Sequence, residues 1–130
     1  MIYLDSSALV KLLFQEPESE ALSSWLSDRA DLPKLTSQVS LVEVVRVCRR
    51  IDADLEPAAR RLLAGLDLVP VSTTVVEWAS HVGTTSLGSL DAIQLATALT
   101  VAGDLEAMLA YDRRLLEAAA LERLPVVSPA

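Results

Sequence analysis

Met1-Ile-Tyr-Leu-Asp5-Ser-Ser-Ala-Leu-Val-Lys-Leu-Leu-Phe14 holds a complete change of backbone state. Ile2–Leu4 is a short apolar run suited to a buried strand, and Asp5 ends it. Leu9, Leu12 and Leu13 then recur at helical spacing across Ser6–Phe14. A buried strand that passes directly into a helix is half of a β–α unit, the building block of a parallel sheet covered by helices. The same arrangement returns near the far end of the chain. Met108–Tyr111 is an apolar run, Asp112 ends it, and Arg113–Ala120 continues at helical spacing.

Between these two units the pattern keeps alternating. Pro17 suits the first turn of a helix whose stripe is Leu22, Trp25 and Leu26. Leu32–Leu35 is a weak strand candidate, with Thr36 and Ser37 as possible caps of a helix reaching about Asp52. The core stripe of that helix is Val44, Val47, Cys48 and Ile51. A further helix is predicted around Pro57–Leu66 and a strand at Leu68–Val71. Thr74-Val-Val-Glu77 has the form of a capping box opening a helix to Val82. Asp91 then opens Leu90–Ala102 after the Gly/Ser stretch, with Gly103 as its C-cap, and Pro125–Val127 is the last strand. No repeat, linker or low-complexity run divides residues 1–130, so a single domain is expected.

Composition narrows the function classes. No apolar stretch approaches the ~20 residues of a membrane span, and Met1–Asp5 lacks the basic and apolar regions of an export signal. The one cysteine, Cys48, has no partner and no metal-ligand spacing, which suits a core thiol in a reducing cytoplasm. A net charge of −7 argues against indiscriminate nucleic-acid binding through a basic surface. Arg46, Arg49, Arg50, Arg60 and Arg61 cluster in sequence, but a solvated helical face accounts for most of them.

Four acids at element boundaries carry the chemistry: Asp5, Glu43, Asp91 and Asp112. Each has an ordinary explanation. Asp5 and Asp112 suit N-caps, and Asp91 complements a helix dipole. Glu43 is spaced to pair with Arg46 and Arg50, or to close a capping box from Ser40. Together they suggest more. Ligands of parallel sheets bind beyond the carboxyl ends of strands, where Asp5 and Asp112 both fall. Gathered carboxylates are what a hard divalent cation takes as ligands. Glu77 and Asp104 are set aside, the first for its capping box and the second for its polar loop.

Ile2-Tyr-Leu-Asp5-Ser-Ser-Ala-Leu-Val-Lys11, Leu41-Val-Glu43-Val, Leu90-Asp91-Ala-Ile-Gln-Leu-Ala-Thr-Ala98 and Tyr111-Asp112-Arg-Arg-Leu115 resemble, in order, the four acid-bearing motifs of PIN-domain ribonucleases. Leu124-Pro-Val-Val127 is similar to that family's closing strand, and within the family the likeness is to the VapC toxins of toxin–antitoxin pairs. Two positions depart from the common pattern. Ala110 stands where many relatives have Thr or Ser, and Gln94 where many have His.

The resemblance implies a PIN-like three-layer α/β sandwich with a mostly parallel sheet of about five strands. It also implies Mg²⁺-dependent endoribonuclease activity, with Mn²⁺ a possible substitute. Asp5 and Asp91 would be primary metal ligands, Glu43 and Asp112 would complete the set, and Ser7 would support it. The implied partners are an antitoxin bound across the early helices, an RNA substrate and a second copy in a homodimer. Two other classes compete. A phosphoacceptor receiver domain needs a late lysine, and the only lysines are Lys11 and Lys34. A catalytically inactive PIN fold would serve only as a binding module, which retention of all four acids disfavours.

Overall fold

The sheet is organised around the strand that begins the chain, in a computed structural model that describes residues 1–130. β1 (Ile2–Leu4) runs parallel to β2 (Lys34–Ser37) on one side and to β4 (Ala107–Leu109) on the other. β3 (Asp67–Val69) lies outside β2, and β5 (Val126–Val127) lies outside β4. The order is therefore β3-β2-β1-β4-β5 with every pair parallel. The chain builds outward from β1 in one direction, then returns to build in the other.

Alternation along β1 explains why both faces are covered. Ile2 and Leu4 point into one core with Leu9, Leu22, Val44, Cys48 and Leu63. These come from α1 (Ser6–Leu13), α2 (Ser19–Ser27), α3 (Val39–Ile51) and α4 (Glu56–Ala64). Tyr3, one residue out of phase, enters a second core with Met108, Leu95, Leu115 and Ala119. α6 (Ser89–Thr100) and α7 (Arg113–Leu121) supply the helical side of that core, and α5 (Thr73–Ala79) packs on α6. A parallel strand buried on both faces has no polar side, which is why Ile2-Tyr-Leu4 is apolar throughout. The three-layer sandwich is as predicted, with five strands and no antiparallel edge.

Several boundaries move, each for a local reason. β2 starts at Lys34 because Pro33 has no N–H for the ladder; Thr36 and Ser37 are its last residues, and of the two Ser37 also accepts the first N–H of α3, from Val39, at 3.1 Å. Pro17 lies in the turn before α2, outside the helix. β4 ends at Leu109, short of the expected Tyr111. Ser72, not Thr74, caps α5 by accepting from the Val75 N–H at 3.2 Å, so the Glu77 capping box does not form. α5 also stops at Ala79. α6 is capped by Val101, and Gly103 sits in the short 3₁₀ turn that follows. Ile51 is 63% exposed, and Val45 takes its place in the buried stripe of α3.

α7 ends in a Schellman motif that the sequence disguises. Leu124 N–H donates to Ala119 O at 3.0 Å and Arg123 N–H to Ala120 O at 2.9 Å, while Arg123 takes φ 62°. Glycine usually occupies this left-handed position because a Cβ there is strained. Arg123→Gly should therefore raise stability slightly, by roughly 0.5 kcal/mol once the greater freedom of unfolded glycine is counted. A lower urea midpoint for the variant would contradict that.

Candidate active site

The fold has one topological switch point, between β1 and β4, where the direction of sheet building reverses. Ligand crevices of open parallel sheets form there, beyond the carboxyl ends of the strands. Asp5 is the residue after β1, and its N–H donates to Leu109 O, the last residue of β4, at 2.9 Å. Asp112 stands three residues beyond that same strand. The two acids that end the predicted strands thus flank the crevice.

Asp5 is an N-cap and something more. Its Oδ2 accepts from the Ser7 backbone N–H at 3.1 Å and from the Ser7 hydroxyl at 2.6 Å. Ser7 Oγ in turn accepts from the Tyr111 N–H at 2.9 Å, fastening the carboxylate to the chain leaving β4. Oδ1 is buried with no hydrogen-bond partner, and the residue is only 2% exposed. An unpaired buried carboxylate oxygen is costly. Burial accordingly pushes the Asp5 carboxyl up to about 6; the Ser7 bonds oppose the rise, and the charges of Glu43 and Asp91 add to it.

Glu43 projects from α3 and is held on both sides. Its Oε2 accepts from the Ser6 hydroxyl at 3.2 Å and its Oε1 from Gln94 Nε2 at 2.9 Å. The expected ion pairs with Arg46 and Arg50 do not form, and Ser40 is not its capping partner. Asp91 occupies the first turn of α6, as the dipole argument requires. Its pKa is raised by burial, then by Asp112 and Glu43. Asp112 caps α7 by accepting from the Leu115 N–H at 2.9 Å. The cap role and membership of the acidic group are compatible, because each cap bond engages one carboxylate oxygen.

Like-charge repulsion links all four acids: Asp5 feels Glu43 and Asp91, and Asp91 feels Asp112 and Glu43. They do not, however, close into a ready chelate, since no three converge on one ion-sized point. The two observations agree physically. Carboxylates of like charge repel, and cap and side-chain bonds hold these apart. The donor set still suits a hard divalent ion, because it is all oxygen and includes the orphaned Asp5 Oδ1. Mg²⁺ commonly keeps several waters and takes one or two carboxylates directly, so a loose ring of acids fits it.

Residues 2–121 match the model of the PIN domain family. The chain is 44% identical over 131 residues to ribonuclease VapC35 of Mycobacterium tuberculosis, covering 99% of this chain and 97% of the relative. The chain belongs to the PIN-domain family, among its VapC ribonucleases. Ribonuclease VapC47 of the same organism is 42% identical over 119 residues, covering 89% of this chain and 88% of that relative. Among solved structures, VapBC2 from Rickettsia felis bound to a promoter DNA fragment superposes with TM-score 0.77 at 14% identity, covering all of both chains. M. tuberculosis VapC20, described as a sarcin-ricin loop cleaving toxin, gives 0.75 at 18% identity over 99% of this chain and 100% of that one.

The PIN fold accounts for what the sequence left open. A receiver-type fold is set aside with it. Ala110 is fully buried in the core that α6 and α7 cover. The Ser7 hydroxyl links the ends of β1 and β4. Nothing in the sequence marks Tyr3 or Thr36 as neighbours of the site, and Ser40 only as a capping partner, yet all three are buried and hydrogen-bonded behind Glu43. Burial also holds the Tyr3 phenol well above its usual pKa. One sequence signal was available: Gln94 lies three residues after Asp91, on the same helical face. Cys48 is a buried free thiol, as expected, and His81 is exposed just past α5. No helix is long and apolar enough to cross a membrane.

Proposed function

We propose that this PIN-domain protein is a divalent-metal-dependent endoribonuclease acting as the toxin of a toxin–antitoxin pair. The observation that supports the reading is the chain of repulsions near the switch point, Asp112 on Asp91 and Glu43 and Asp91 on Asp5, with Asp5 Oδ1 buried and unpartnered. Asp5 and Asp91 would hold a Mg²⁺ ion, or Mn²⁺ in its place, with Glu43 and Asp112 completing the set. When bound, the ion supplies a Lewis acid that activates water and offsets charge on the phosphodiester. Ser7 fixes the Asp5 carboxylate and joins it to the β4 end, so the acid needs little reorganisation to meet its ligand. Asp112, anchored by its cap bond, lies near enough to Asp91 to help raise that acid's pKa. A bound cation would also offset part of the carboxylate charge at the place where a phosphate must approach a chain of charge −7.

EDTA treatment and Asp91→Asn should each lower cleavage of a structured RNA on the order of 10²-fold or more. Undiminished cleavage by the variant would remove Asp91 from the metal set, and an inert wild type would support the inactive binding module.

For partners, the reading is an antitoxin segment laid on the early helices and a homodimer. Leu12, Leu13, Phe14 and Trp25 are only partly buried there, packed on one side against the α1–α4 core. The analogy is a solved toxin–antitoxin complex from Klebsiella pneumoniae that shares this fold. A monomer by light scattering at micromolar concentration would contradict the dimer.

A further inference from the structure

Behind Glu43 lies a closed polar chain inside an otherwise apolar core. Tyr3, Thr36, Ser40 and Gln94 are all 0% exposed. The Tyr3 hydroxyl donates to Gln94 Oε1. Gln94 Nε2 then donates to Ser40 Oγ at 2.8 Å and to Glu43 Oε1 at 2.9 Å, while Ser40 Oγ shares a 2.6 Å bond with Thr36 Oγ1. Four elements meet in it: β1, β2, α3 and α6.

The order of donors is forced. A carboxylate can only accept, so the Gln94 edge facing Glu43 must be the NH₂. The carbonyl edge then faces Tyr3, and a carbonyl oxygen can only accept, so the phenol must donate. Reversing the amide would set its oxygen against the Glu43 carboxylate and would turn the Tyr3 hydroxyl from donor to acceptor, its proton away from Gln94. That would leave buried groups unpaired, which low local polarity makes expensive.

We infer that Tyr3 is a positioning residue: its hydroxyl fixes the orientation of the Gln94 amide, and the amide holds the Glu43 carboxylate in place at the acidic site. The device resembles the outer hydrogen bonds that orient metal-ligating side chains, here built from a neutral amide. It rests on the reading of Glu43 as part of a metal site only for its functional consequence. The clamp itself is a property of the metal-free protein.

The test uses Tyr3→Phe, which keeps the ring and removes the hydroxyl, and Gln94→Leu, which keeps the bulk and removes the amide. In metal-free wild type, side-chain amide NMR should show Gln94 protons close to the Glu43 methylenes and protected from exchange. Tyr3→Phe should speed that exchange at least about tenfold while thermal melting shows the protein still folded. Titration with Mn²⁺ alone should show affinity weakened about tenfold or more in each variant, within the 10–100-fold range for lost outer-shell partners. The double variant should be no weaker than Gln94→Leu alone, since Tyr3 acts through Gln94.

Unchanged Gln94 exchange and unchanged proximity to Glu43 in Tyr3→Phe would overturn the inference, whatever the metal data show. Additive losses in the double variant would overturn it as well. If wild type binds no Mn²⁺, the metal reading fails, and the NMR comparison still decides the clamp.

Discussion

Asp5→Asn should abolish RNA cleavage, by on the order of 10²–10³-fold, and at the same time make the metal-free protein more stable at neutral pH. The first effect follows if the orphaned Oδ1 is the atom offered to the cation. The second follows from burial. Raising the Asp5 pKa from 3.8 to about 6 means that the folded chain disfavours the charged form. At pH 7 the corresponding destabilisation is ~3 kcal/mol as an upper figure, at ~1.4 kcal/mol per tenfold change in proton affinity. Asn removes the charge and is itself a good N-cap for the Ser7 N–H. Its own NH₂ would be buried, so a gain of about 1–2 kcal/mol is the reasonable expectation.

The sign determines the pH window. The folded state holds the Asp5 proton more tightly than the unfolded state does. Stability therefore falls as pH rises from about 4 to 6, and the whole penalty is present above 6. Urea unfolding in EDTA should show wild type and Asp5→Asn nearly equal at pH 4 and separated at pH 7. Excess Mg²⁺ should then close the gap by stabilising wild type alone, by ~2.7 kcal/mol at one hundred times the dissociation constant. A variant less stable than wild type at pH 7 in EDTA would show that the charged form of Asp5 is not disfavoured.

The second large effect is Leu109→Ala. Leu109 is fully buried, ends β4, and packs against the α1–α4 core. Its carbonyl also accepts the Asp5 N–H. Truncation should cost about 2–5 kcal/mol through lost burial and the cavity left behind. Against a total stability of roughly 5–15 kcal/mol, that is a third or more in many domains. Calorimetry should show a fall in Tm of the order of 10 °C. Leu121→Ala is the control: that side chain is 76% exposed on α7 and should change stability by less than about 0.5 kcal/mol. Similar losses for the two would mean that the core is misplaced.

Ile2-Tyr-Leu-Asp5 was legible because a strand buried on both faces must be apolar throughout, and the acid that ends it needs a cap partner just beyond. The same logic placed Asp112, although β4 stops earlier than its apolar run. Glu43 was found without its neighbours being understood. Its spacing to Arg46 and Arg50 satisfies helix geometry, but the side chain turns inward to Gln94, a contact between residues 51 positions apart. Local spacing cannot report such a contact. Arg46 and Arg50 stay exposed, while Arg49 and Arg60 both pair with Glu56, at 2.8 and 3.1 Å. Ile51 misled because it completes a regular stripe that continues past the edge of the core. Arg123 hid a helix terminator because the motif normally declares itself through glycine.

The reversal of direction at β1 also sets a schedule. β1 is made before the other four strands of the sheet, but the neighbour that completes its other side is β4, more than a hundred residues later. Until Ala107–Leu109 arrive, Asp5 has no Leu109 carbonyl for its N–H, and the Ser7 hydroxyl has no Tyr111 N–H to receive. Asp112 is not yet made. An unfinished chain can carry the first three acids and still lack the crevice that gathers them. This strand order delays assembly of the crevice until β4 and Asp112 have been made.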